Sequence, residues 1–166
     1  MVVAFGVLAL QGDFEAHARA LGRLGRTALM VRTAAELERV DALILPGGES
    51  STMLRLLGMN GLGDELERRI RNGMPTLATC AGVVLLARAV VPRQPCLGLL
   101  DVEVERNAYG RQVHSSVTEV EVADEVGGGS TMEGVFIRAP RITRVGDSVE
   151  VLGRRGPDPV LVRQGH

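Results

Sequence analysis

Four apolar runs in the first half of the chain, each followed by a segment with helical periodicity, constrain the fold more than any other feature. Val2 to Leu10 is nearly unbroken apolar sequence and stops at Gln11-Gly12. A strand buried on both faces reads this way, because neither face meets water. Phe14, His17, Ala18, Leu21 and Leu24 then recur at helical spacing, with Asp13 as the expected N-cap and Gly25 as the stop. "TALMVR" (27–32) predicts a second strand and "TAAELERV" a short helix capped by Thr33. "DALILP" (41–46) predicts a third strand that ends in "GGESST". Helical stretches are expected from about Thr52 to Leu57 and from Leu62 to Arg71. "PTLAT" (75–79) is the fourth strand, and the run Ala81 to Val90 is read as the helix after it. Strand and helix in strict alternation imply a parallel sheet with helices on both faces. The expected fold class is therefore α/β, a three-layer sandwich around a mainly parallel central sheet.

The second half changes character. "LLDVEVERN", "QVHSSVTEVEV", "GVFIRAP", "SVEVLGR" and "PVLVRQG" alternate with turns at a period of two, the signature of strands, and no clear helix is expected after about Val91. The acidic residues Asp101, Glu103 and Glu105 fall on one solvated strand face, and Arg68, Arg69 and Arg71 on a polar helix face. With 166 residues, no repeat and no long linker, one domain over 1–166 is expected.

Composition removes several function classes. Lysine and arginine number 19 against 20 acidic residues, a net charge of −1, so there is no basic footprint for nucleic acid. Aromatics at 2% offer no platform for base stacking. No apolar run reaches the length of a membrane span, and the opening segment lacks the cationic flank of a signal peptide. The two cysteines, Cys80 and Cys96, form neither a CxxC nor a zinc spacing, so no metal is expected and a reducing cytoplasm is the expected setting. Neither a Walker A sequence nor GxGxxG occurs.

Two stretches carry candidate chemistry. Ala78-Thr79-Cys80-Ala81-Gly82 places a thiol between small residues at a strand-to-helix junction, the nucleophile-elbow pattern. A helix starting at Ala81 would point its N-terminus at the sulfur and favour the thiolate, and the Ala81 N–H could donate to an oxyanion. The competing reading is a buried, inert cysteine acting as a small hydrophobe. In "LPGGESST" (45–52), paired glycines after a buried strand present backbone N–H groups, although these residues taken alone favour an ordinary turn with Ser50 or Ser51 as helix cap. Both stretches fall at the carboxyl edge of the expected sheet, where α/β proteins bind ligands. Together they have the parts of an acyl-transfer site: nucleophile, oxyanion donors and a carboxylate.

The stretches "GVLALQGDFEAH", "LILPGGESSTM", "TCAG", "GLLDVEVERNAYGRQVHS" and "GVFIRAP", in this order from residue 6 to residue 140, resemble the glutaminase subunits of pyridoxal 5′-phosphate synthase. These are class I, triad-type glutamine amidotransferases of flavodoxin-like fold. The resemblance implies hydrolysis of L-glutamine to glutamate and ammonia through a Cys80 thioester. It makes Gly48 and Ala81 the oxyanion-hole donors, and Gly48, Glu49, Ser50, Arg106, Ile137 and Arg138 the glutamine-binding residues. It further implies a synthase subunit as partner and receiver of the ammonia, and no cofactor bound by the glutaminase itself. "LPGGES" with "RNAYGRQ" argues against a cysteine hydrolase that shares only the elbow.

One element of that family pattern has no match. The base and acid of the triad sit in a late His-x-Glu motif, and no His-x-Glu occurs in these residues. The expectation is that a C-terminal strand and helix are missing; the alternative is a non-catalytic binding subunit of the same complex. His17 is expected to be structural or a partner contact, His114 a surface residue, and His166 a variable position before the missing strand. Cys96, in a loop without an elbow, is read as structural or incidental.

Overall fold

The computed structural model describes residues 3–59, 61–109, 116–126 and 130–165. The chain divides into two units, Met1–Leu86 and Ala87–His166.

The first unit holds the alternation. Its strands are β1 (Phe5–Leu8), β2 (Ala28–Val31), β3 (Ala42–Leu45) and β4 (Thr76–Ala78). Its helices are α1 (Phe14–Arg23), α2 (Ala34–Leu37), α3 (Ser50–Leu57), α4 (Leu62–Arg71) and α5 (Ala81–Leu86). The strands pair in the order β2-β1-β3-β4, every pair parallel, as the continuous apolar runs require. Val7 and Ile44 pack with Leu21 of α1, flanked by Phe5, Phe14, Ala28 and Met30. Alternation along the strands turns Leu8, Leu43 and Leu45 to the opposite face, and all three are buried. Buried side chains Leu37, Met53, Leu57, Leu62 and Leu66 come from the next three helices. The result is an α/β fold with a mainly parallel central sheet.

Local chemistry sets the helix starts. Asp13 caps α1 by accepting the Ala16 N–H at 3.3 Å. Thr33 and Glu36 form a reciprocal capping box on α2, which is only four residues long. Arg69 does not share the solvated role expected of its neighbours. Arg68 and Arg71 pair with Glu65 and Glu67 on α4, whereas the Arg69 guanidinium donates to the carbonyls of Leu37 and Val40 at 2.9 and 2.6 Å. It thereby ties α4 to the carbonyls at and just beyond the C-terminal end of α2.

One expected element is cut in two. The run 81–90 is not a single helix: α5 stops at Leu86, and Ala87–Val91 forms strand β5, paired in parallel with β6 (Leu100–Glu105). Val90 and Val91 are β-branched, and the residue before Pro92 is turned away from helical geometry, so the C-terminal half of the run favours strand.

The second unit is strand-rich, as its period-two segments predict. Besides β5 and β6 it contains β7 (Ser116–Val122), β8 (Thr131–Phe136), β9 (Arg141–Val145), β10 (Val149–Arg155) and β11 (Asp158–Gln164). They form two sheets, β11-β10-β7-β8, antiparallel throughout, and β5-β6-β9. A 3₁₀ turn, Asp124–Val126, stands where only a turn region is expected. On β6, Val102 and Val104 are buried, while Asp101 on the other face takes Arg88 and Arg144, and Glu105 takes Arg141.

Candidate active site

In the first unit, β3 and β4 lie side by side with Leu45 opposite Ala78, so both chains leave the sheet at the same edge. The Thr79 N–H continues the ladder one step further, to the Leu45 carbonyl at 3.0 Å. Beyond that point come Pro46-Gly47-Gly48-Glu49 from one strand and Cys80 from the other. A Cβ built on Gly47 would lie 3.4 Å from the Cys80 Cβ, so the glycine loop and the cysteine are in contact.

Cys80 has φ +47°, the left-handed region that L side chains rarely occupy. The turn is closed behind it: Gly82 N–H donates to Thr79, and the Val83 and Val84 N–H groups donate to the Cys80 carbonyl. Gly82 is required here, because a Cβ on it would sit 2.5 Å from the Leu45 carbonyl oxygen. This is the elbow geometry, in which a strained nucleophile is held out from a sharp strand-to-helix turn. The cysteine is neither disulfide-bonded nor fully buried. With six residues, α5 is under two turns long, so it offers the sulfur local N–H groups rather than a long-helix dipole. Among the described residues, neither the Gly48 nor the Ala81 N–H has a backbone acceptor.

The glycine loop is braced from below by the turn after β1. The Gln11 Oε1 accepts the Glu49 N–H at 2.7 Å, and the Asp13 N–H donates to the Gly47 carbonyl at 3.2 Å. Gly12, at φ +94°, passes so close that a Cβ on it would fall 1.9 Å from the Gly47 oxygen. Sequence reasoning gave Gln11 no task. The signal available was an amide side chain at the carboxyl end of a buried strand, the edge where the site lies.

Glu49, not Ser50 or Ser51, caps α3, and the helix begins at Ser50 rather than Thr52. Its carboxylate accepts the Thr52 N–H at 2.8 Å and hydroxyl at 2.9 Å, and the Ser51 N–H at 3.3 Å and hydroxyl at 3.1 Å. The Thr52 backbone bond is the largest of the effects that hold the Glu49 pKa down at about 2. A fixed negative charge therefore stands in the loop, beside Ser50, which is buried. His17 of α1 places its Nε2 3.3 Å from the Thr79 hydroxyl, one residue before the cysteine. Burial lowers the His17 pKa against the opposing charge of Asp13, favouring the neutral ring.

The other expected site residues belong to the second unit. Arg106 follows β6; its N–H donates to the Val91 carbonyl at 2.8 Å, and its guanidinium donates to the Gln94 side-chain oxygen. Ile137 and Arg138 follow β8, and both are exposed. Asn107 at φ +55° and Arg138 at φ +49° join Cys80 as the only non-glycine residues of positive φ among those described. Cys96 is a free thiol whose sulfur contacts the Arg88 carbonyl. His114 and His166 lie outside the described residues, and so does the stretch Gly110–Ser115 that completes the arginine-tyrosine motif.

Comparison with known proteins gives the family of the chain. The model of the SNO glutamine amidotransferase family matches residues 7–166. Pyridoxal 5′-phosphate synthase subunit PdxT of Thermotoga maritima is 49% identical over 162 residues, 97% of this chain and 85% of that protein. The PdxT subunit of Thermus thermophilus is 52% identical over 163 residues, 96% of this chain and 83% of that one. A crystal structure of a glutamine amidotransferase, 51% identical, superposes with a TM-score of 0.89 over 98% of this chain and 85% of its own. At 15% identity, PurLQS from Thermotoga maritima shares the fold, with a TM-score of 0.68 over 92% of this chain and 74% of its own. The chain belongs to the SNO glutamine amidotransferase family.

Proposed function

We propose that this chain is the glutaminase subunit of a pyridoxal 5′-phosphate synthase. It hydrolyses L-glutamine and delivers the ammonia to a synthase subunit. The observation that carries the chemistry is Cys80 at φ +47°, held against the glycine loop by the close approach of Gly82 to Leu45. The family and the identity to PdxT subunits support the substrate and the partner.

The Cys80 thiolate attacks the side-chain amide carbon of glutamine. The carbonyl oxygen becomes an oxyanion, and the N–H groups of Gly48 and Ala81 receive it. Collapse breaks the C–N bond, the nitrogen takes up the proton that the Cys80 thiol gave up and leaves as ammonia, and a γ-glutamyl thioester remains. Water then attacks the thioester, releasing glutamate and restoring the thiol. Ser50, Arg106, Ile137 and Arg138 take part in glutamine binding by the family resemblance, and Glu49 supplies the negative charge suited to an α-ammonium. Cysteine chemistry of this kind uses a general base, and no residue of this sequence is assigned to that role. Neither cysteine is in a disulfide, which supports a reducing, cytoplasmic setting.

The test is glutamate and ammonia release from L-glutamine by the chain alone and mixed with the synthase subunit, beside Cys80→Ala. Turnover that rises with the synthase subunit and vanishes in the variant is expected. Normal turnover by Cys80→Ala would overturn the nucleophile assignment, and no response in a verified complex would remove the partner.

A further inference from the structure

The hairpin joining β10 to β11 grips an aromatic pair. Arg155 ends β10, Asp158 begins β11, and the two are cross-strand partners. The Arg155 guanidinium carbon lies 5.1 Å from the Tyr109 ring centroid and 4.7 Å from that of Phe136. The rings themselves meet edge to face, 5.1 Å apart at 61°. At its far end Tyr109 donates its hydroxyl to the Asp158 carboxylate at 2.9 Å. Burial and this bond push the Tyr109 pKa up to about 12, so the hydroxyl stays a donor. Tyr109 is thus held twice by one hairpin, by its ring and by its hydroxyl.

What the cluster joins gives it meaning. Tyr109 lies three residues after Arg106, and Phe136 immediately precedes Ile137 and Arg138. These two segments leave different strands, and each contains a non-glycine residue at positive φ, Asn107 and Arg138. Such backbone persists only where the surroundings over-determine it. Elsewhere in the described chain positive φ falls to glycine, apart from Cys80. Arg155 is also used differently from its neighbours. Arg88, Arg141, Arg144 and Arg163 all meet carboxylates, whereas Arg155 has no ion pair among the described residues and lies over the two rings. A side chain spent only on surface charge would not be placed there.

We propose that Arg155 is a positioning residue for glutamine. By stacking on Tyr109 and Phe136 it fixes the Arg106 segment and the Ile137–Arg138 segment relative to each other. The inference rests on the functional reading above, which assigns those segments to glutamine binding.

The experiment is calorimetric titration of L-glutamine into the Cys80→Ala chain, where turnover is removed, and into the same chain carrying Arg155→Met, Arg155→Lys or Tyr109→Phe. Urea midpoints are measured for each. Arg155→Met keeps the aliphatic packing and loses the cation, so affinity is expected to fall about tenfold. Arg155→Lys keeps a cation over the rings and is expected within about threefold of the parent. Tyr109→Phe loses the hydroxyl bond and is expected to weaken binding about threefold. Affinities unchanged in folded Arg155→Met, or equal losses in the Met and Lys variants, overturn the proposal. Should Arg155→Met not fold, the other two variants decide: parental affinity in Tyr109→Phe, or a tenfold loss in Arg155→Lys, overturns it. Absence of glutamine binding by the parent overturns the functional reading itself, a different result from binding that ignores Arg155.

Discussion

The Glu49 cap makes a quantitative prediction that separates its structural duty from any duty to substrate. Its carboxylate accepts four hydrogen bonds from Ser51 and Thr52, and its pKa falls from 4.5 to about 2. A carboxylate depressed in the folded state contributes stability above its unfolded pKa and loses it as pH falls through the folded value. Taken whole, this displacement corresponds to about 3 kcal/mol. The side chain is only partly buried, and solvent screening lowers the figure to about 1–2 kcal/mol, the range of a strong helix N-cap. Glu49→Gln preserves the shape and one good acceptor but removes the charge. Urea unfolding of the two proteins without glutamine should show the variant less stable by that amount at pH 7 and pH 5. The gap should shrink between about pH 4.5 and 2, reaching roughly half near pH 3. A gap that stays constant from pH 7 to pH 3 would refute the reasoning, because the cap would then owe nothing to ionisation. No gap at pH 7 would show that the amide caps α3 equally well.

Two other substitutions probe the turn and the clamp. Gly82→Ala drives a methyl group to 2.5 Å from a backbone oxygen, which cannot rotate away, so a loss of about 1–3 kcal/mol in urea unfolding is expected; an unaffected midpoint would contradict the close packing of the elbow. Arg106→Ala removes a charged donor, so glutamine affinity should fall by about tenfold or more with little change in stability, and an unchanged affinity would count against its part in binding.

The first half of the fold was legible because a parallel strand buried on both faces leaves a mark that turns interrupt sharply. Asp13, Thr33 and Gly25 punctuate the helices as their side chains and backbone freedom predict. The break at Leu86 was only partly legible: Val90, Val91 and Pro92 disfavour a helix at the end of the run, but the pairing of β5 with β6 decides where the helix stops. Cys80 and Gly48 were visible through small residues at strand ends. Glu49 as a cap was hidden, because serines beside it are equally suited and only geometry selects among them. Arg155 left no trace, since a cation over two rings depends on segments distant in sequence.

The mutual fit of the two turns in the first unit bears on how such a site can be transplanted. Residues 47–50 do not hold their shape alone: Gln11 holds the Glu49 N–H, Asp13 holds the Gly47 carbonyl, and Gly12 leaves no room for a side chain between them. A designer moving the glycine loop into another parallel sheet would need to carry residues 11–13 with it, as one graft of two pieces. Moved singly, the loop would arrive with an amide and a carbonyl seeking partners, and the recipient sheet would have to supply both from its neighbouring strand.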